Sequence, residues 1–333
     1  GLEISGMSIA GIPGMIIGRT PHHAWSMQVG HANTVDYYIE DPSDVFLHRT
    51  ETIKVLGEDD VVLPVYRTSH GPVISPMPYD PATYDPVSDG PIIAWKYSHW
   101  GHELEAFDGF IGLSRATNMD TFGDAIDTVP VSQHFCYTDR DGNIAYWMSG
   151  RDPVRPAGEW RFPQGFMGAP QEWDSEILIA RSTDRNSSQG FYSGWNNKSS
   201  PSYDASYGPF HRAHVIHDYL STHDDLTFEN VRDLALNIAT TDSFGSGGNP
   251  WKFVEDFFTG VVAANPTQDR TDALALMAAW DGHFVDGGES AWALGTDRAD
   301  AWVLMDAWIR EVIRLTFQDE LGDGESRYTL FNV

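Results

Sequence analysis

The sequence predicts an α+β protein with a β-rich first part and a helical second part. Three observations predict it. Up to about Arg212, short runs rich in β-branched and aromatic residues alternate with Gly, Pro, Asn and Asp, the pattern of strands joined by hairpins. Beyond Arg212 the period changes, and Phe228, Val231, Leu234, Ala235 and Ile238 fall on one helical stripe behind a capping Thr227. Strands come first and helices follow, an order that argues against alternating βαβ units. We therefore expect residues 1–215 to form a β-rich part and residues 216–333 a mainly helical segment.

Individual elements follow from local chemistry. Thr52 to Leu56 and Val61 to Arg67 flank Gly57-Glu58-Asp59-Asp60, and Phe135 to Tyr137 and Ile144 to Met148 flank a turn with Asp141-Gly142. Both read as hairpins. Met119, Phe122, Ala125 and Ile126 recur at helical spacing between Asn118 and Thr128. Further helices are expected at Pro250 to Ala263, Arg270 to Trp280 and Ala299 to Leu321.

Bulk properties exclude several functions. With 41% hydrophobic and 13% aromatic residues the 333-residue chain has ample material for a core. Its 21 basic against 48 acidic side chains give a formal charge of −27, which repels phosphate backbones and argues against a nucleic-acid partner. Cys136 is the single cysteine, so neither an intrachain disulfide nor a multi-cysteine metal site is available. No apolar run reaches the roughly 18 residues of a membrane span. The start, Gly-Leu-Glu-Ile-Ser-Gly, lacks an initiator Met and a signal-peptide pattern, so we expect the chain to begin somewhere other than a gene start.

Several catalytic motifs fail on inspection. Gly6-Met7-Ser8-Ile9-Ala10 does not lead into a helix as a nucleophile elbow must. Gly245-Ser246-Gly247-Gly248 lacks the Lys-Ser/Thr of a P-loop. His22-His23 and the remaining histidines show no metalloprotease spacing.

A series of blocks points elsewhere. Gly11 to Gly18, with its Pro-Gly strand, precedes Ala24-Trp25-Ser26-Met27-Gln28-Val29-Gly30 and Asn33-Thr34-Val35-Asp36. Then come Thr68-Ser69-His70-Gly71-Pro72-Val73-Ile74, Tyr137 to Ile144, Gly150-Arg151-Asp152-Pro153-Val154-Arg155 and Gly194-Trp195-Asn196-Asn197. In content and order these blocks resemble the penicillin acylase family of N-terminal-nucleophile hydrolases. The resemblance implies an incomplete set of Ntn-hydrolase-type αββα layers and an amidohydrolase acting on linear amides. In that family a serine at the free N-terminus of the β-chain attacks the carbonyl while its own α-amino group takes the proton.

The resemblance assigns roles by position. The backbone N–H of Val29 and the side-chain amide of Asn196 match the oxyanion donors, Arg212 matches an orienting arginine, and Gln28 sits beside the first donor. Read locally, an ordinary turn is the better reading of Asn196-Asn197, and Val29 reads as a strand valine. Ile17, Met27, Gln133 and Phe135 match the acyl pocket, where the polar Gln133 would need a partner. Asn33, the Val35 carbonyl, Asp36 and Asp204 match the ligands of a structural calcium ion, with no organic cofactor implied. The implied partners are the nucleophile-bearing segment and the α-chain of the same precursor, with a small-molecule amide as substrate and a periplasmic or extracellular location. The nucleophile itself has no counterpart in these residues, so the chain alone is expected to be inactive. A non-catalytic module that keeps the scaffold for binding or assembly remains the alternative.

Overall fold

The computed structural model describes residues 3–199, 211–240, 251–282 and 298–322. Its first part runs β1 (Ser5–Met7), β2 (Ile17–Arg19), β3 (His23–Val29), β4 (Val35–Glu40), β5 (Phe46–Ile53), β6 (Val61–Arg67), β7 (Val73–Ser75) and β8 (Ile92–Tyr97). Two helices, α1 (Glu105–Arg115) and α2 (Met119–Asp127), precede β9 (Gln133–Asp139), β10 (Ile144–Met148), β11 (Pro153–Val154), β12 (Asp174–Leu178) and β13 (Thr183–Arg185). The remainder is helical: α3 (His211–Leu220), α4 (Phe228–Thr240), α5 (Trp251–Ala264), α6 (Gln268–Ala279) and α7 (Arg298–Leu321). The expected division into strands then helices is therefore present, and both expected hairpins form, as β5–β6 and β9–β10.

The chain forms two compact units, one of residues 1–187 with 198–206 and one of residues 188–197 with 207–333. The first is built on an antiparallel six-stranded sheet of order β1-β2-β3-β9-β10-β13. Alternation along its central strands sorts the two faces. Trp25, Phe135, Tyr137, Ala145 and Trp147 point to one side and form a core with Phe110 and Leu113 of α1 and Phe122, Ala125 and Ile126 of α2. Each fully buried large apolar side chain, such as Leu113 or Phe135, contributes about 1.5–3 kcal/mol through removal from water. Asn118 starts α2 through a capping box with Thr121, which closes donors the first turn would otherwise leave unbonded.

Helix α1 is an element that local reading passed over, because Gly109 and Gly112 interrupt its pattern. The glycines serve packing instead. A Cβ on Gly109 would stand 2.5 Å from a Val129 methyl, and one on Gly112 would stand 2.8 Å from the Ala125 Cβ, so only glycine lets α1 approach α2 this closely.

Three smaller sheets complete the unit's strands: β4-β8-β7, the β5-β6 hairpin and the β11-β12 pair. In the second unit Trp251, Met277, Trp280, Ala301 and Met305 form a core between α5, α6 and α7. Thr227 begins α4 as expected, its hydroxyl accepting from the Asn230 N–H at 3.2 Å. No helix of the described residues is long and apolar enough to cross a membrane.

Candidate active site

In the first unit, Gln28 and Val29 close β3, opposite His134 and Gln133 of β9. Phe135 is fully buried in the helix-facing core, and Ile17 and Met27 pack against the same core while remaining partly exposed. Met27 lies directly across from Phe135. Val29 is half exposed where the strand runs out. The side-chain oxygens of Gln28 and Gln133 are buried with no hydrogen-bond partner. Such acceptors are rare in folded proteins, so the end of the β3–β9 ladder holds two desolvated oxygens on opposite faces of the sheet. A depression of about 470 Å³ near Glu3, Arg19 and Thr20 contains none of the predicted site residues.

In the second unit the turn at Trp195 to Asn197 meets the first turn of α3. Asn196 adopts φ 67°, the left-handed region that asparagine tolerates better than most residues. Arg212 donates through Nη2 to the Trp195 carbonyl at 2.6 Å and to Asn196 Oδ1 at 2.8 Å. A guanidinium has donors only, so the amide oxygen of Asn196 must face it and the Nδ2 group is turned the other way. Arg212 thus fixes both the turn and the sense of the amide.

The residues expected around calcium are arranged differently. Asp36 is buried, and its Oδ2 accepts from Arg155 Nε at 2.7 Å and from Trp173 Nε1 at 2.6 Å. Arg155 Nη2 donates to the Asn33 carbonyl at 2.7 Å, while its Nη1 reaches Asp152 Oδ1 at 3.0 Å and the Pro153 carbonyl at 3.2 Å. Asp152 in turn pairs with Arg181 at 3.4 Å. Burial pushes the carboxyls of Asp36 and Asp152 above their usual range, with the arginines pulling the other way. Val35 is held in the β4–β8 ladder opposite Tyr97, and Asp204 lies outside the described residues. Among the described residues no group of three or more His, Cys, Asp or Glu side chains is placed to hold a metal ion. Arg155 thus holds two of the oxygens in this corner, Asp36 Oδ2 and the Asn33 carbonyl.

A second charged cluster adjoins the first. His70 stacks on Tyr38 with ring centroids 3.8 Å apart. Its Nδ1 bonds Glu40 at 2.7 Å and its Nε2 bonds Glu172 at 2.6 Å. Lys96 holds the other oxygen of Glu172 at 2.5 Å. An imidazole with a carboxylate on each nitrogen is held as the cation. Burial works against that charge, but the two carboxylates outweigh it and leave the His70 pKa raised.

Across residues 1–332 the sequence matches the penicillin amidase family profile. The chain belongs to this family. Among curated penicillin amidase relatives, the acyl-homoserine lactone acylase QuiP of Pseudomonas syringae pv. tomato is 23% identical over 96% of this chain and 39% of that protein. Penicillin G acylase of Escherichia coli is 20% identical over 95% of the chain and 38% of its own length. The chain thus spans about two fifths of the curated relatives it matches. A solved structure of a thermostable penicillin G acylase from Alcaligenes faecalis superposes with a TM-score of 0.74 at 23% identity, covering all of this chain and 60% of that one. The penicillin amidase fold, of the Ntn-hydrolase type, is therefore present here as expected. His70, Asp152 and Arg155 all lie in the family-like blocks, yet residue type alone gave them no role. Their signal was position in a block, and their partners lie far along the chain.

Proposed function

We propose that this chain is part of an amidohydrolase that cleaves the amide of a small acylated amine, and that it supplies the groups that stabilise the transition state. The observation that carries this reading is the pinning of Asn196 by Arg212 through Oδ1. An amide held in one sense is a pre-oriented donor, and pre-orientation is what lets a donor stabilise charge as it develops rather than before. Asn196 Nδ2 donates to the oxyanion; the second-donor role expected of the Val29 N–H, which lies in the other unit, rests on the resemblance of the Ala24 to Gly30 block alone.

The nucleophile comes from the part of the family's length that this chain does not span. A serine there, bearing a free α-amino group, adds its oxygen to the amide carbon while the amino group takes its proton. The oxyanion collapses, the amine leaves with that proton, and water then hydrolyses the acyl-enzyme by the same route. Gln133 places a buried, unpaired amide oxygen beside the end of β3, so the acyl group that suits it carries a hydrogen-bond donor, or leaves room for a water to serve as one. The named relatives, which act on penicillin G and acyl-homoserine lactones, share the chemistry of an acyl group on a small amine.

The test is made on the full-length protein with phenylacetyl and long-chain acyl amides of small amines. Processing to a chain that starts with Ser, Thr or Cys, together with turnover that falls about 100-fold or more in Asn196→Ala, is the expected result. Full turnover in Asn196→Ala overturns the donor assignment. Absence of both processing and turnover in the unmodified protein makes it a binding or assembly module instead. The 333-residue chain by itself is expected to show no turnover above its Asn196→Ala control.

A further inference from the structure

We infer that Arg155 is the resident cation of the Asn33–Asp36 corner, and that its guanidinium stands where a divalent cation would otherwise bind, so this fold needs no calcium there. Geometry comes first. Asn33 and Asp36 both deliver an oxygen to Arg155, each at 2.7 Å, from a single guanidinium. The bonded Asp36 oxygen also accepts the Trp173 indole N–H at 2.6 Å. A calcium ion needs six to eight oxygens at about 2.3–2.6 Å, and could take these two atoms, the Asn33 backbone carbonyl and Asp36 Oδ2, only by displacing Arg155.

Charge gives the second argument. The two buried carboxylates, Asp36 and Asp152, face two guanidiniums, those of Arg155 and Arg181. Among the described residues this set of four groups is neutral. A divalent cation added to it would bring two uncompensated charges into a site where Asp36 and Asp152 are 4% and 3% exposed, and burying unpaired charge is strongly unfavourable.

The surroundings give the third. The guanidinium carbon of Arg155 lies 5.8 Å from the Trp160 ring centroid and 5.5 Å from that of Trp173. Aromatic faces suit a planar, weakly hydrated guanidinium. They offer a hard divalent ion no ligand at all. One side chain therefore ties β4 through Asp36 to the segment carrying Asp152 and Pro153.

The experiment uses the purified protein stripped with EDTA. Calcium chloride is titrated calorimetrically, and thermal melts are compared in calcium and in EDTA. No saturable heat and the same Tm in both are expected. A Tm that calcium raises saturably, with the rise lost in Asp36→Asn, overturns the inference. Arg155→Gln should lower Tm in EDTA by about 5–10 °C, as expected for a broken buried ion pair in a chain of this size. Calcium should restore part of that loss, because Asp36 and Asp152 then face an excess of negative charge. An Arg155→Gln protein as stable as the parent overturns the proposal. If that variant does not fold, Arg155→Lys keeps the charge but loses the fork: it should melt below the parent and remain indifferent to calcium, and a calcium-dependent rise in its Tm counts against the proposal.

Discussion

Two arginines, one in each unit, show how the same side chain is put to different uses by its partners. Arg155 bonds two carboxylates and two backbone carbonyls and is 11% exposed. Its charge is consumed by neutralising Asp36 and Asp152, so its contribution lies in holding strands together. Arg212 bonds the Trp195 carbonyl and the Asn196 amide oxygen, both neutral. Its charge is not cancelled by a carboxylate among the described residues, and it polarises and orients a donor instead. Carboxylate partners mark a structural arginine, and an amide partner in a left-handed turn marks a positioning one.

The contrast can be broken at its structural end first. Asp152→Asn takes from Arg155 and Arg181 the carboxylate they share, and should cost about 3–5 kcal/mol, since removing one member of a buried pair strands the other. The urea midpoint measures it. Arg212→Met is the matched change in the second unit. We expect its urea midpoint to move by less than about 1 kcal/mol while kcat of the full-length enzyme falls about 10- to 100-fold, the range for a donor that survives but loses its orientation. KM should change little, because the lost interaction belongs to the transition state. If Arg212→Met unfolds the protein as readily as Asp152→Asn does, the two arginines do the same job and the distinction fails.

What the sequence disclosed, and what it hid, divides along the same line. Local signals were legible: the Thr227 cap, the helical spacing between Asn118 and Thr128 and the turns of the two hairpins each involve residues within a few positions of one another. Helix α1 escaped because Gly109 and Gly112 look like breaks until Ala125 and Val129 are seen across from them. The Asn196-Asn197 turn stood out only as a member of an ordered set of blocks, since alone it is an ordinary turn. Arg155 was hidden for a different reason. Its partner Asp36 is 119 positions away, and no spacing rule connects a guanidinium to a carboxylate at that separation. Asp36 matched a cation ligand through the resemblance alone, and residue type does not say whether the chain or a metal provides the positive charge that a buried carboxylate demands.

The smallest effect tests the second charged cluster, where two histidines of one unit should give stability slopes of opposite sign. The pKa of His70 is raised, burial being outweighed by Glu40 and Glu172. Its stabilisation is therefore fully present below the unfolded value of about 6.5 and is lost as pH rises through the folded value. His99 is lowered to about 4, chiefly by burial, with Arg151 adding to the effect. Its contribution is present above about 6.5 and is lost as pH falls toward about 4, because the unfolded chain then binds a proton that the folded one refuses. Urea midpoints taken from pH 4 to pH 9 should thus fall on both sides of a maximum near neutrality. His70→Gln should flatten the alkaline side and leave the acid side unchanged, whereas His99→Gln should flatten the acid side alone. An alkaline slope that persists in His70→Gln would mean that Glu40 and Glu172 are satisfied without the imidazolium, and that Lys96 with the Thr68 hydroxyl, which donates to Glu40 at 2.7 Å, suffices to hold this corner.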